Sequence, residues 1–129
     1  MPLITARVKC FPTEDPEKVK KAILNIFPES IIDESENGFV ATANSCERLA
    51  ELVRNMKILD SARAVLLRGK RNNSVKIRIN KQVAFVGKLS FIEDRDPPLG
   101  SIEVVIEDER IDEIIDKIAP STTGDEVNS

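Results

Sequence analysis

Residues 74–80, SVKIRIN, put Val75, Ile77 and Ile79 on one parity and Ser74, Lys76, Arg78 and Asn80 on the other. That is the period of a strand with one buried face. The same alternation runs through LITARVKC, where Ile4, Ala6, Val8 and Cys10 oppose Thr5, Arg7 and Lys9, and SIEVVIE reads as a further strand. A chain that carries several half-apolar strands must find something to cover them. Its other segments supply helices with a single apolar stripe.

In residues 15–26, Asp15 is placed to accept a backbone N–H as N-cap and Pro16 suits the first helical position. Val19, Ala22, Ile23 and Ile26 then follow at helical spacing, and Pro28 stops the run. Lys18, Lys21 and Asn25 lie on the opposite side, with Lys20 at its edge, and read as a solvated face. Residues 30–43 predict a β-hairpin in which Asn37-Gly38 provides positive φ angles. Ser45 or Asn44 caps a second helix with Leu49, Leu52, Val53 and Met56 as its stripe. A third spans about 59–67, with Asp60 as candidate cap and Gly69 as its end. GKRNNS reads as a polar loop. Asn80 is placed to cap one helical turn that Gly87 closes, after which 88–91 resumes extended structure. EDRDPPLG must be a loop, since adjacent prolines cannot donate to a ladder, and Ile111, Ile114, Ile115 and Ile118 mark a last helix.

Together these elements predict an α+β fold in two layers, with helices packed on one face of a mixed β-sheet and the other face available. At 129 residues the chain suits one core. The expected organisation is a single domain over 1–119 and a flexible polar tail over 120–129.

Several classes of chemistry are disfavoured. Histidine is absent, which removes the commonest general base and most zinc sites. Cys10 and Cys46 are far apart and match neither a disulfide framework nor a sulfur-rich metal site. There is no phosphate-binding glycine loop, dinucleotide fingerprint or nucleophile elbow. The carboxylates of EDERIDE suit a solvated helix face better than a Mg²⁺ site. Lys81 beside Gln82 would form a catalytic pair only if burial depressed the lysine pKa. The expectation is a protein with no catalytic residues, no metal and no cofactor. No apolar run approaches the roughly 20 residues of a membrane span, and the first residues lack a secretory pattern, so the expected location is the cytoplasm.

Charge is segregated along the chain. The formal net charge is −3, yet residues 57–88 hold nine Lys or Arg against Asp60 alone, while residues 89–129 hold three basic and twelve acidic side chains. Local potential governs polyanion binding more than the total does. Two readings follow. The acidic last helix, with Asp112, Glu113 and Asp116, could dock on the basic segment and neutralise it, or the charges could protect a sheet edge. Alternatively, the segment contacts phosphates. Five Phe with no Trp or Tyr argue against a platform of stacking aromatics and favour phosphate and 2′-OH contact to structured RNA.

FPTEDPEKVKKAILNIFP, LDSARAVLLRG, INKQVAFVGKLSF and PLGSIEVVIED, in that order, resemble a family of small archaeal proteins described as predicted RNA-binding or exosome-associated. The most specific elements are the Pro12-Thr13-Glu14 turn, the Phe27-Pro28 stop and the stretch from Asn80-Lys81-Gln82 to Gly87-Lys88. The resemblance implies a two-layer fold similar to the ribosomal protein that binds five-S ribosomal RNA. Joined to the charge count, it gives Arg63, Arg68, Lys70, Arg71, Lys76, Arg78, Lys81 and Lys88 as candidate phosphate contacts, and Asn80 and Gln82 as candidates for 2′-OH or base-edge hydrogen bonds. The leading expectation is a non-catalytic RNA-binding protein, serving RNA processing as an accessory factor. The alternative is a protein-interaction module or homodimeric subunit that does not touch RNA. A metal-dependent nuclease stands third.

Overall fold

The computed structural model describes residues 1–121. In chain order the strands are β1 (Leu3–Lys9), β2 (Ile31–Ser35), β3 (Gly38–Ala43), β4 (Lys70–Arg71), β5 (Ser74–Asn80) and β6 (Ser101–Glu107). The helices are α1 (Pro16–Ile26), α2 (Glu47–Asn55), α3 (Leu59–Arg68), α4 (Lys81–Phe85) and α5 (Ile111–Ile118). The sheet runs β2-β3-β1-β6-β5-β4, and every pairing in it is antiparallel. The expected mixed sheet is therefore corrected. β1 and β2 do run in the same direction across α1, but β3 returns from the hairpin into the gap between them. Strand–helix alternation in a sequence does not reveal such an insertion.

Strand parity places the core. Ile32, Ala41, Ala6, Val104 and Ile77 are successive register partners across five strands, flanked by a row through Val8 and Ile102 and another through Ile4 and Ile106. Helices seal this face with Val19, Ala22, Ile23 and Ile26 of α1, Leu49, Leu52 and Val53 of α2, Ala62, Val65 and Leu66 of α3, and Ile111, Ile115 and Ile118 of α5. One continuous cluster of buried side chains results. Among the described residues no helix covers the opposite sheet face, which carries Thr5, Arg7, Lys9, Lys76, Arg78 and Glu103. The expected polar tail falls, from residue 122 on, outside the described residues.

Local chemistry explains most element ends. Asp15 accepts from the Glu17 N–H at 3.0 Å and Pro16 opens α1. Asn80 caps α4 by accepting the Val83 N–H at 2.9 Å, and Gly87, at φ 83°, closes the turn. At α2, Ser45 Oγ accepts the Glu47 N–H at 3.2 Å, although Cys46 occupies the cap position. Asp60 does not cap α3. The chain leaves α2 with Lys57 at φ 59° and Ile58 N–H bonded back to Val53 O at 3.2 Å, so α3 starts at once from Ile58.

Two glycines are present for close approach and not for handedness. The β2–β3 hairpin forms, but its loop is Glu36-Asn37, and neither Asn37 nor Gly38 has positive φ. A Cβ on Gly38 would lie 2.0 Å from Val8 O. Gly69 follows α3 at φ −87°, and its Cβ would lie 2.1 Å from Lys76 O. The chain after α3 is thus pressed against β5, and the expected GKRNNS loop pairs as β4 before turning at Asn72, φ 56°. Residues 88–91 do not form a strand; only the bridge from Phe91 to Ile79 remains of the expected extension.

Candidate nucleic-acid interface

The cations of the basic segment lie close in sequence and separate in space. Arg63, on α3, donates to Asp116 Oδ1 at 2.7 Å and to Ala119 O at 3.0 Å, while Lys70 Nζ lies 2.6 Å from Asp112 Oδ1. The acidic face of α5 therefore neutralises these two, as one reading of the charge pattern anticipated. Arg68 pairs with Glu93, Lys76 with Glu103 at 3.2 Å, and Arg78 with Asp96 at 2.5 Å. Arg78 also donates to Asp94 O at 2.6 Å. Asp96 also accepts from Ser101. These hydrogen bonds from Arg78 and Ser101, with charge from Arg78 and Lys9, hold its pKa below the ordinary value of 3.8.

Lys81 is corrected as a phosphate contact. It is 3% exposed, and its Nζ donates to Glu14 Oε1 and to Lys9 O, both at 2.9 Å, beside the Phe11 ring. Glu14 Oε1 also accepts the Phe11 N–H at 2.9 Å. Paired with a carboxylate and bonded to a carbonyl, a buried ammonium is tolerable, and at 3% exposure it is withdrawn from any ligand at the surface. The Pro12-Thr13-Glu14 turn and the Asn80-Lys81-Gln82 stretch, distant in sequence, are thus two halves of one internal staple. Asn80 spends its side-chain oxygen on capping α4, which holds Lys81 in place.

The remaining candidates divide between two places. Gln82 and Lys88 are exposed around α4, on the helix-bearing side. Here Lys18 and Lys21 of α1 each stand 5.7 Å from the Phe85 ring centre, and Asn25 donates to Ala84 O and Phe85 O at 2.8 and 3.0 Å, binding α4 to α1. Arg68, Arg71, Lys76 and Arg78, in contrast, line a single groove of about 410 Å³ where the end of α3 meets β5. Glu93 is the one carboxylate in its wall among the described residues. Arg71 makes no ion pair among the described residues and instead donates to Lys70 O at 2.7 Å and Arg68 O at 3.2 Å.

Two cations that the segment count passed over lie on the inner strand β1, separated from β5 by β6 alone. Arg7 and Lys9 alternate along β1 on the helix-free face and have no ion-pair partner within 4.0 Å among the described residues. Their strand parity was legible; their lack of partners was not.

The carboxylates of EDERIDE do not gather. Asp108 accepts the Arg110 N–H at 2.7 Å, Asp112 is engaged by Lys70, and no cluster of three or more metal-ligating side chains occurs among the described residues. Cys46 is buried, and desolvation, opposed by the charge of Lys117 and aided by Asp108, pushes its thiol up to about 12. Among the described residues no helix is long and apolar enough to cross a membrane.

Comparison with known proteins gives these surfaces a context. Residues 3–108 match a family model described as RNA binding. The chain is 45% identical over 129 residues to a UPF0201 protein of Methanocaldococcus jannaschii, covering 95% of this chain and 74% of that one. It is 42% identical over 122 residues to a UPF0200/UPF0201 protein of Archaeoglobus fulgidus, of which it spans only 38%. The crystal structure of a UPF0201 protein from Methanococcus jannaschii superposes with a TM-score of 0.84 at 42% identity, covering 96% of both chains. Matched along nearly all of its folded length, this chain belongs to the archaeal UPF0201 family, whose domain model is described as RNA binding.

Proposed function

We propose that this chain binds structured RNA without transforming it, seating the phosphate backbone in the groove formed by Arg68, Arg71, Lys76 and Arg78. The convergence of these four cations from α3, β4 and β5 on one surface carries the reading. Their carboxylate partners do not oppose it strongly. The pairs that Arg68 and Lys76 make are exposed and worth about 0–1 kcal/mol, so a phosphate chain can displace Glu93 or Glu103 at small cost, while Arg78 keeps its bonds to Asp96 and Asp94 O and contributes its charge from there. Under this reading the protein acts in the cytoplasm as an accessory to RNA processing, as the exosome-associated resemblance suggests, on a scaffold of the five-S-RNA-binding ribosomal type.

The test is the salt dependence of binding to a folded RNA. The slope of log affinity against log salt should fall by about 0.7 to 0.9 for each phosphate contact removed, and R68S/R71S should remove two. An unchanged slope would exclude this groove.

A second reading has its own observation. Phe85, flanked by Lys18 and Lys21, adjoins Val86, which is 64% exposed. An apolar spot bordered by two cations suits a protein partner or a second copy. Sedimentation of the chain at low and high salt separates the readings, since a salt-sensitive dimer with no RNA affinity would favour the second.

A further inference from the structure

The helix-free sheet face also holds a groove of about 590 Å³, which meets the one at α3 at Arg78 and whose walls include Arg7, Lys9, Phe11, Pro97, Pro98 and Ser101. At one side Lys9 has Gly38 as its register partner, with Ser35 of the groove wall beyond it. One wall is the loop 94–100. That loop is fixed to the sheet by Arg78, which holds Asp96 and the Asp94 carbonyl, and by Ser101, which donates to Asp96 at 3.0 Å. The other end is the tip of the β2–β3 hairpin.

The charges here are sorted by whether they are already engaged. Asp96 is held by Arg78 and Ser101, and Glu103, although opposite Arg7 in the register, pairs with Lys76. Among the described residues Arg7 and Lys9 thus make no ion pair at one wall, although the charge of Lys9 is felt at Asp96, while Phe11 and the two pyrrolidine rings offer apolar surface close by. Side chains at alternate positions of one strand point to the same face and lie about 7 Å apart along it, close to the spacing of successive phosphates in an extended strand.

We infer that this groove is a single-stranded RNA subsite: Arg7 and Lys9 take consecutive phosphates, and a nucleoside lies against Phe11, Pro97 and Pro98. The inference rests on the RNA-binding reading and deepens it, by giving a folded RNA held at α3 and β5 a place for its unpaired end. A flank of this kind suits a single strand, whose nucleosides can splay onto apolar surface, better than a duplex, whose bases are stacked inside. The acceptors still exposed in the groove, Glu36 among them, would meet ribose hydroxyls or base amino groups, and they disfavour a second layer of phosphate.

The test uses the full chain with a hexauridylate, followed by amide NMR and by affinity at several salt concentrations. The expected result is perturbation of the Gly38, Gly100 and Ser101 amides, an affinity that drops about tenfold in R7Q/K9Q, and a salt slope smaller by about 1.4, for two single-strand phosphates. R68S/R71S should leave hexamer binding within about twofold while weakening folded RNA. If folded RNA binds but the hexamer leaves those amides unmoved, or R7Q/K9Q binds it normally, the subsite is overturned and the RNA reading stands. If neither RNA binds, both fail. Polyglutamate that perturbs the same amides with equal affinity would also overturn the subsite, by showing a site for any polyanion. Both substitutions are at exposed positions of β1, and unchanged thermal unfolding of R7Q/K9Q confirms that the comparison is between folded proteins.

Discussion

Lys81 and Lys76 belong to the same basic segment, and each meets a carboxylate, but in opposite settings. Lys81 is 3% exposed and fastened to Glu14 and a backbone carbonyl, whereas the Lys76 side chain is 61% exposed and its pair with Glu103 spans 3.2 Å at the surface. The first pair closes the loop before α1 onto α4. The second lies on the open sheet face, where water and salt screen it. Identical charge in neighbouring sequence therefore serves architecture in one case and remains exchangeable in the other.

The most severe way to break this comparison is Lys81→Ala. Removing one partner leaves the Glu14 carboxylate poorly compensated, and a loss of about 3 kcal/mol is expected in denaturant unfolding. The double change with Glu14→Gln should restore part of it. A loss below about 1 kcal/mol from Lys81→Ala alone would mean that the staple is no stronger than a surface pair.

Asn80→Ala probes the same staple through the backbone. Its cap bond to the Val83 N–H sets the start of α4, so the expected cost is about 1 kcal/mol, with faster amide exchange at Val83. For the exposed pair, a double-mutant cycle of Lys76→Ser and Glu103→Gln should give a coupling of about 0.5 kcal/mol or less, vanishing in high salt.

The smallest effect sharpens the comparison by pH. Asp96 has a folded pKa below its ordinary 3.8, so the stabilisation it lends is complete above that value and is lost as pH falls through the depressed one. The Gly100 amide shift should stay constant between about pH 5 and 8 and move only on acidification below the ordinary carboxylate range. Movement near neutral pH would show that Arg78 does not hold the 94–100 loop.

Legibility in the sequence followed the range of the physics. Asp15 with Pro16 and Asn80 with Gly87 announced helix ends because each acts within one turn of itself. Strand parity separated Val75, Ile77 and Ile79 from Lys76 and Arg78 for the same reason. Gly38 and Gly69 were recognised as breaks but for the wrong cause, since the atoms that exclude a side chain at them belong to Val8 and Lys76 on other strands. The left-handed residue after α2 is Lys57, where no glycine or asparagine gave warning. At the candidate site, the count of cations was visible and the destination of each was not. Arg63 and Lys70 reach α5, and Arg7 and Lys9, far outside the basic segment, make no ion pair among the described residues.

The sequence by itself determined that half-apolar strands and striped helices would form two layers, and which parity of each strand would be buried, because alternation and helical spacing are properties of consecutive residues. Tertiary structure alone decided that β3 enters between β1 and β2, that Lys81 is sealed inside while Arg71 is not, and which cations converge on a groove. Ion pairs and strand neighbours join residues tens of positions apart, and no local pattern records which carboxylate the folded chain carries to which cation.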